Sequence, residues 1–171
     1  MTDRQTQIKR RVSLPAYLAE LAVLVGRKVM AEELLSVEDA QSLRKKLRIT
    51  GAKARRIALR FAGRKSSAFA ALVDQLHSLN GSSVVLWIPG ANDCGALPLP
   101  SLHAIDFGFP FDWCAEGVLV IATSDGLDRM LLDLSEEDGS QSLEMELFGP
   151  HWGQASLPVW DSSSAPTDDT L

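Results

Sequence analysis

Apolar residues follow a helical spacing in the first half of this chain and a strand-like spacing in the second half. The clearest helical pattern places Phe69, Leu72, Val73, Leu76 and Leu79 on one face. Ser66 or Ser67 can cap this helix, and the dipeptide at 80–81, Asn-Gly, is a typical end. The pattern therefore predicts a helix from about residue 66 to residue 80.

Three further helices are predicted before it. Apolar residues from Leu14 to Val25 predict one helix after a frayed basic start at 1–12, ending at 26 or continuing to 35. Ser36, with Asp39 three residues later, resembles a capping box and predicts a second helix. The spacing of apolar residues at 54–61 predicts a third helix near 52–62, so 36–62 would form a helix–turn–helix.

Short apolar runs bounded by turn residues replace the helical pattern after residue 81. Residues 84–88 predict a buried strand, 91–111 a long loop, and 118–134 a hairpin that turns at Asp-Gly 125–126. After a second turn at 136–139, Leu143, Met145 and Leu147 alternate with Glu144 and Glu146. That alternation is typical of a strand with one buried face and one acidic face.

Helices that precede antiparallel strands predict an α+β fold, with the helices packed on one face of the sheet. We expect a basic helical module at 1–65, an α+β domain with the antiparallel sheet at 66–160, and a disordered tail at 161–171.

Charge is distributed very unevenly along the chain. Of the 17 Lys and Arg residues, 16 precede Ser66 together with 6 of the 22 acidic residues. The first 65 residues therefore carry a formal charge of +10 and the remainder carries −15. Such asymmetry favours a surface that meets an oppositely charged macromolecule.

The acidic half supplies the main candidate site. A surface of carboxylates could imitate nucleic-acid phosphate and occupy the basic cleft of a nuclease, with large aromatic residues as anchors. The alternative is a solvated sheet face with acidic turns. The candidate partner-binding residues are Asp125, Asp128, Asp133, Glu136, Glu137, Asp138, Glu144 and Glu146, with Trp113 and Trp152 as anchors.

The basic half supplies an alternative site for nucleic acid. Lysine and arginine side chains on a helix–turn–helix could contact phosphates. The competing interpretation, which we favour, is that they pair with the acidic half or are solvated. The residues concerned are Arg44, Lys45, Lys46, Lys53, Arg56 and Arg60, with Arg48 beside them.

The sequence offers little support for catalysis, a metal or a cofactor. Cys94 follows a predicted strand, but no signature links it to His77, His103 or His151 as a base, so a structural cysteine is favoured. The cysteines and histidines lack metal-ligand spacing, and no phosphate-binding glycine loop is present. Without a signal peptide, a membrane span or a disulfide framework, we expect a cytoplasmic protein that uses no cofactor.

Residues 117–134, GVLVIATSDGLDRMLLDL, resemble the SUKH superfamily in having a strand, an acidic-glycine turn and a strand that ends in Leu-Asp-Leu. The overall layout is also similar to immunity proteins of bacterial polymorphic toxins. The resemblance implies a non-enzymatic antitoxin that binds a cognate basic toxin domain, which we expect to be a nuclease. It carries no catalytic residue. A nucleic-acid-binding regulator that uses the basic helices at 36–64 is the alternative.

Overall fold

The computed structural model describes residues 3–49 and 55–156, with side chains from residue 8 to 47 and from 55 to 156. The predicted tail at 161–171 lies outside these residues. The helices are α1 (Asp3–Val25), α2 (Val37–Ile49), α3 (Ser67–Leu79) and the single turn α4 (Ala91–Cys94). The strands are β1 (Arg55–Arg60), β2 (Val84–Trp87), β3 (Leu97–Leu99), β4 (Val118–Thr123), β5 (Arg129–Glu137) and β6 (Ser140–Phe148).

The six strands form one antiparallel sheet in the order β1-β6-β5-β4-β2-β3. The predicted α+β class with helices before an antiparallel sheet is confirmed. The inner face of the sheet is apolar, because Leu143, Met145 and Leu147 of β6 share it with alternate residues of β4 and β5. Helices α1 and α3 cover that face, and α2 covers one end of the opposite, outer face.

Helix α3 begins and ends where the sequence predicts. The Ser66 hydroxyl accepts a hydrogen bond from the Phe69 amide at 3.2 Å, which satisfies one of the free amides of the first turn. Phe69, Leu72 and Leu76 are buried in the core. The buried face explains the helix, because burial of each such side chain stabilises by about 1.5–3 kcal/mol.

The outer helix α2 also has the predicted cap. The Ser36 hydroxyl accepts from the Asp39 amide at 3.0 Å and donates to the Asp39 carboxylate at 2.8 Å. Leu43 and Leu47 then pack with Val85 and Trp87 in a small second core on the outer face. The cap and this apolar pair fix where α2 lies across β2 and β4.

The predicted third helix near 52–62 is wrong. Residues 55–60 form strand β1, which pairs with β6 so that Ile57 lies opposite Met145 and Leu59 opposite Leu143. Ile57 and Leu59 are two residues apart and both are buried, which is the period of a strand. The helix–turn–helix predicted for 36–62 is therefore absent.

Packing does not stop at the predicted boundary after residue 65. Tyr17, Leu21 and Leu24 of α1 belong to the same core cluster as α3 and the sheet, and β1 completes the sheet at one edge. Helix α1 also begins at Asp3, whereas we predicted a frayed start for residues 1–12. The described part of the first segment thus shares its core with the second.

The predicted loop at 91–111 contains two short elements. Helix α4 and strand β3 bring Ala96 into a bridge with Leu35, and the Tyr17 hydroxyl donates to the Gly95 carbonyl at 2.6 Å. Gly95 has φ +98°, and a Cβ there would collide with the Leu35 carbonyl oxygen. Only glycine fits where the chain before α2 approaches α4.

We predict that Gly95→Ala lowers the free energy of unfolding by about 3 kcal/mol or more, because strain at positive φ adds to a backbone collision. Gly139→Ala is the matched control, since Gly139 also has positive φ but a Cβ there would meet nothing within 4 Å. We expect about 1 kcal/mol for the control. Urea denaturation of both variants checks this, and equal losses would contradict the predicted collision.

Candidate binding surface on the outer face of the sheet

The outer face carries a row of side chains that changes from apolar to charged across the sheet. Strand register places Trp87 opposite Val120, Val120 opposite Leu131, Leu131 opposite Glu146, and Glu146 opposite Arg56. Residues directly opposite one another in an antiparallel sheet present their side chains on the same face. The row therefore runs from beneath α2 to the exposed edge strand β1.

A groove of about 410 Å³ lies along this row, between α2 and the open part of the outer face. Its apolar lining includes Trp87, Val120, Leu131 and Phe148. The charged lining residues are Arg44, Arg129, Glu116 and Glu146. A concave apolar floor with a few charged groups at its rim is a common form of binding site.

The two arginines that line the groove, and Arg56 beside it, have partners within the protein. The Arg129 guanidinium lies 4.1 Å from the centre of the Phe148 ring, which is cation–π geometry. The Arg56 Nε donates to Glu146 at 2.8 Å, and Arg44 donates to the Asn92 side chain at 3.2 Å. Much of the positive charge of the groove is thus engaged by its neighbours.

Six exposed or half-buried carboxylates lie on the β5–β6 hairpin. Glu146 pairs with Arg56, and we call the other five the acidic hairpin surface. They are Asp133, Glu136, Glu137, Asp138 and Glu144. Asp133 and Glu144 face one another directly across the two strands, an arrangement of like charges that costs stability. Within residues 3–49 and 55–156, none of the five carboxylates makes an ion pair.

The hairpin turn displays the outermost of these carboxylates. Asp138 and Gly139 have φ of +51° and +76°, and Glu137 pairs with Ser140. Two central residues at positive φ define a type I′ turn, which joins antiparallel strands without splaying them. Glu137 and Asp138 therefore lie at the end of the two-stranded hairpin.

Asp128 is not a surface residue, which corrects the prediction that it binds a partner. Its side chain is fully buried. One carboxylate oxygen accepts hydrogen bonds from the His151 and Trp152 backbone amides, both at 2.9 Å. The other oxygen accepts from the Asn80 side-chain amide at 2.8 Å and lies 2.7 Å from His151 Nδ1. Asp128 therefore joins the β4–β5 turn to the end of α3 and to the segment after β6.

Asp125 is exposed, but its carboxylate accepts hydrogen bonds from its own turn and from nearby Asn80 and Ser82. Burial raises its pKa, but hydrogen bonds from the Thr123 hydroxyl, the Leu127 amide, Asn80 and Ser82 outweigh that effect, so the pKa is lowered overall. A carboxylate that already accepts four hydrogen bonds has little capacity left for a partner. We therefore assign Asp125 to the turn.

The two tryptophans predicted as anchors lie in the core, so that prediction is wrong. Trp152 is fully buried and its indole N–H donates to the Leu76 carbonyl at 2.9 Å. Trp113 is 6% exposed and packs edge-on against Phe109 at 5.7 Å. Their apolar area stabilises the inner core and is not accessible to a partner.

The basic residues of the alternative site are spread over two elements. Arg44, Lys45 and Lys46 are exposed on α2, whereas Arg56 and Arg60 are exposed on β1. Lys53 lies outside the described residues, and the side chain of Arg48 is also outside them. Because Arg56 pairs with Glu146, one of the predicted phosphate contacts is neutralised internally.

The candidate nucleophile Cys94 is buried away from the three histidines. Its thiol lies 3.7 Å from the Ser13 hydroxyl, and burial raises its pKa. His103 instead contacts Asp74, and His151 contacts Asp128. Within the described ranges, no group of three or more His, Cys, Asp or Glu residues has the geometry to hold a metal ion.

Comparison with protein-family models, curated proteins and solved structures finds no significant match to this chain. None of the helices in the part of the chain that the structure describes has the length and apolarity to cross a membrane.

The apolar groove was not predicted from the sequence. Val118, Val120 and Leu131 were assigned only to strands, because a run such as 118–122 does not reveal which face remains uncovered. The alternation of Arg129, Leu131 and Asp133 on β5 was the available signal, since these residues share the outer face. Deciding that this face is open required the position of α2.

We predict that Asp128→Asn lowers the free energy of unfolding by about 2–4 kcal/mol, because an amide nitrogen would replace an oxygen that faces donors. Asp133→Asn is the control, since Asp133 is exposed and faces Glu144. It should be neutral or slightly stabilising. Chemical denaturation at neutral pH compares them, and a neutral Asp128→Asn would show that the network contributes little.

We predict that native Cys94 reacts with iodoacetamide more slowly than free cysteine at neutral pH. Burial limits access and raises its pKa, so less of the reactive thiolate is present. Mass spectrometry with and without denaturant gives the rate at each cysteine. A native rate above that of free cysteine would identify Cys94 as an activated nucleophile.

Proposed function

We propose that this protein is a non-enzymatic immunity protein that binds and neutralises a basic bacterial toxin, with a nuclease as the expected class. The observation that supports it best is the acidic hairpin surface: five carboxylates on one β-hairpin that make no ion pairs among the described residues. Inhibition would be stoichiometric, by occlusion of the toxin's cationic cleft.

The like charges on the hairpin favour a cationic partner. Asp133 and Glu144 are held opposite one another at a cost in stability. A lysine or arginine placed between them would relieve the repulsion and gain charge-assisted hydrogen bonds. A partner of positive charge therefore gains more from this surface than a neutral one does.

The neighbouring groove would supply the apolar part of the contact. Leu131 lies next to Asp133 on the outer face of β5, one side-chain position along the strand. Interfaces derive most of their affinity from a few desolvated apolar anchors, whereas charges accelerate encounter and set specificity. We assign the anchoring role, predicted for Trp113 and Trp152, to the groove lining instead.

The SUKH-like pattern at 117–134 supports an immunity role in the bacterial cytoplasm. That segment corresponds to β4, the turn at Asp125-Gly126 and most of β5. β5 carries Asp133, Glu136 and Glu137 of the acidic hairpin surface. Of these three carboxylates, Asp133 lies within the pattern and Glu136 and Glu137 follow it, so the pattern and the charged surface meet in the middle of β5.

A nucleic-acid-binding regulator has less support. The helix–turn–helix on which it depended is replaced by α2 and β1, and Arg56 is paired with Glu146. Lys45 and Lys46 remain exposed on α2. A gel shift at low salt would test this function, since phosphate contacts give binding that falls steeply with salt.

We predict that neutralising the hairpin weakens toxin binding on the order of tenfold or more, mainly through slower association. The test variant combines Asp133→Asn, Glu137→Gln and Glu144→Gln. The control changes the same charge elsewhere, with Glu32→Gln, Glu38→Gln and Asp112→Asn at exposed positions. The ligand is the purified domain of a toxin-like reading frame that neighbours the gene, and binding kinetics are measured at two salt concentrations.

Three outcomes would contradict the proposal. The first is equal binding by both triple variants, which would leave the hairpin without a role in recognition. The second is a genome in which no toxin-like reading frame neighbours the gene. The third is a neighbouring toxin whose toxicity persists when this chain is co-expressed.

A further inference from the structure

Helix α1 carries an apolar stripe on the side that faces away from the core. Its members are Ile8, Val12, Pro15, Ala16, Ala19 and Val23, and we call them the α1 stripe. Ile8, Val12 and Val23 are 55%, 78% and 38% exposed. Tyr17, Leu21 and Leu24 already anchor the opposite side of the helix in the core. The stripe is therefore apolar surface that the described part of the chain leaves exposed to water.

The positions of the α1 stripe are symmetric about its centre, so their spacing is the same from either end of the helix. Reversal about a point between Pro15 and Ala16 exchanges Ile8 with Val23 and Val12 with Ala19. A helix with such a stripe matches an antiparallel copy of itself, apolar residue against apolar residue. Contact of the same patch on both subunits is the form of a two-fold symmetric interface.

Charge on one flank of the stripe supports the same pairing. Lys9 and Glu20 are eleven residues apart, about three helical turns, so they lie along the same flank. The same flanks meet when two helices pair antiparallel about a two-fold axis, which places Lys9 of each copy near Glu20 of the other. Glu20 also lies close enough to Glu116 for their repulsion to raise its pKa, in addition to burial, which is the larger cause.

The centre of the stripe permits close approach. Pro15, Ala16 and Ala19 are exposed and small, and they lie where the two helices would cross. Small residues at a crossing allow helix axes to pack at the short end of the usual range, about 8 Å. The larger Ile8, Val12 and Val23 would then pack on either side of the crossing.

We propose that a second copy of this chain docks on the α1 stripe, antiparallel, with Lys9 of each protomer paired to Glu20 of its partner. The contact lies on α1, which covers the inner face of the sheet, whereas Asp133 and Glu144 lie on the outer face. Glu116 lines the groove and lies near Glu20, so the two proposed contacts approach one another there. The measurements below follow self-association of this chain alone and use no toxin.

Sedimentation of the full chain up to submillimolar concentration tests the docking. We expect a reversible dimer, and Ala16→Arg should weaken it at least about tenfold by placing two like charges at the centre. Ala71→Arg, on the exposed side of α3, is the matched control and should leave the dimer unchanged. Thermal melts of both variants establish that each remains folded.

A charge exchange tests the flank pairing. Lys9→Glu or Glu20→Lys alone should weaken the dimer about twofold to fivefold, and the double exchange should restore it. Lys28→Glu changes an exposed charge beyond the helix and should have no effect. If Lys9 and Glu20 only stabilised their own chain, the double exchange would not be expected to restore the dimer.

Crosslinking tests the direction of the helices. With oxidised glutathione, the Val12→Cys, Ala19→Cys double variant should form disulfide-linked dimers, and Val12→Cys alone should not. In the antiparallel arrangement the two copies of position 12 are separated by about 10 Å along the axis, beyond the reach of a disulfide. The wild-type chain controls for Cys94 and Cys114.

A chain that stays monomeric at every concentration would overturn the proposal and assign the α1 stripe to a different occupant. A dimer that is indifferent to Ala16→Arg would place the interface elsewhere. Crosslinking of Val12→Cys alone would indicate parallel helices, and it would equally overturn the antiparallel pairing.

Discussion

The buried carboxylate of Asp128 is the interaction on which the arrangement of the later half depends. It accepts hydrogen bonds from the segment after β6 and from Asn80 at the end of α3. Gly149 has φ +106°, and a Cβ there would collide with Asp128. The absence of a side chain at this position lets the backbone after β6 pack directly against the carboxylate. The contact places Trp152 against the inner core, where its indole bonds to Leu76. Because an unpaired buried charge is costly, all of these segments must be in place together.

The two faces of the sheet differ in how much of each is covered by helices. Its inner face is covered by α1 and α3 and supplies most of the hydrophobic stabilisation. Its outer face is covered by α2 only over β2 and β4, and the rest presents the groove together with Asp133 and Glu144. Exposed side chains on this face, such as Asp133, lie outside both core clusters.

Elements with strong local signals were predictable. Helix α3 has its cap at Ser66 and a regular apolar face, and β6 has a strict alternation of leucine or methionine with polar residues. Strand β1 was not predictable, because Ile57 and Leu59 are short signals among basic residues that also fit a helix. Asp128 was predicted as surface because its partners Asn80 and His151 are distant in sequence. Accessibility was predictable where it depends on a turn or on strand alternation, as it does for Glu136, Glu137, Asp138 and Glu144. Burial was not predictable where it depends on long-range packing, as it does for Asp128, Trp113 and Trp152.

The pairing of β1 with β6 has a consequence for how the chain is made. Arg55–Arg60 leaves the ribosome long before its partner, because Ser142–Leu147 follows much later in the sequence. Strands that are so far apart in sequence pair late in folding, since the intervening chain must first be ordered. Until then Ile57 and Leu59 stay uncovered on a segment with nearly all of the positive charge. The first 65 residues, with a formal charge of +10, therefore emerge before the acidic residues that offset them. This order exposes the nascent segment to nucleic acid and to chaperones until the later acidic residues have been synthesised.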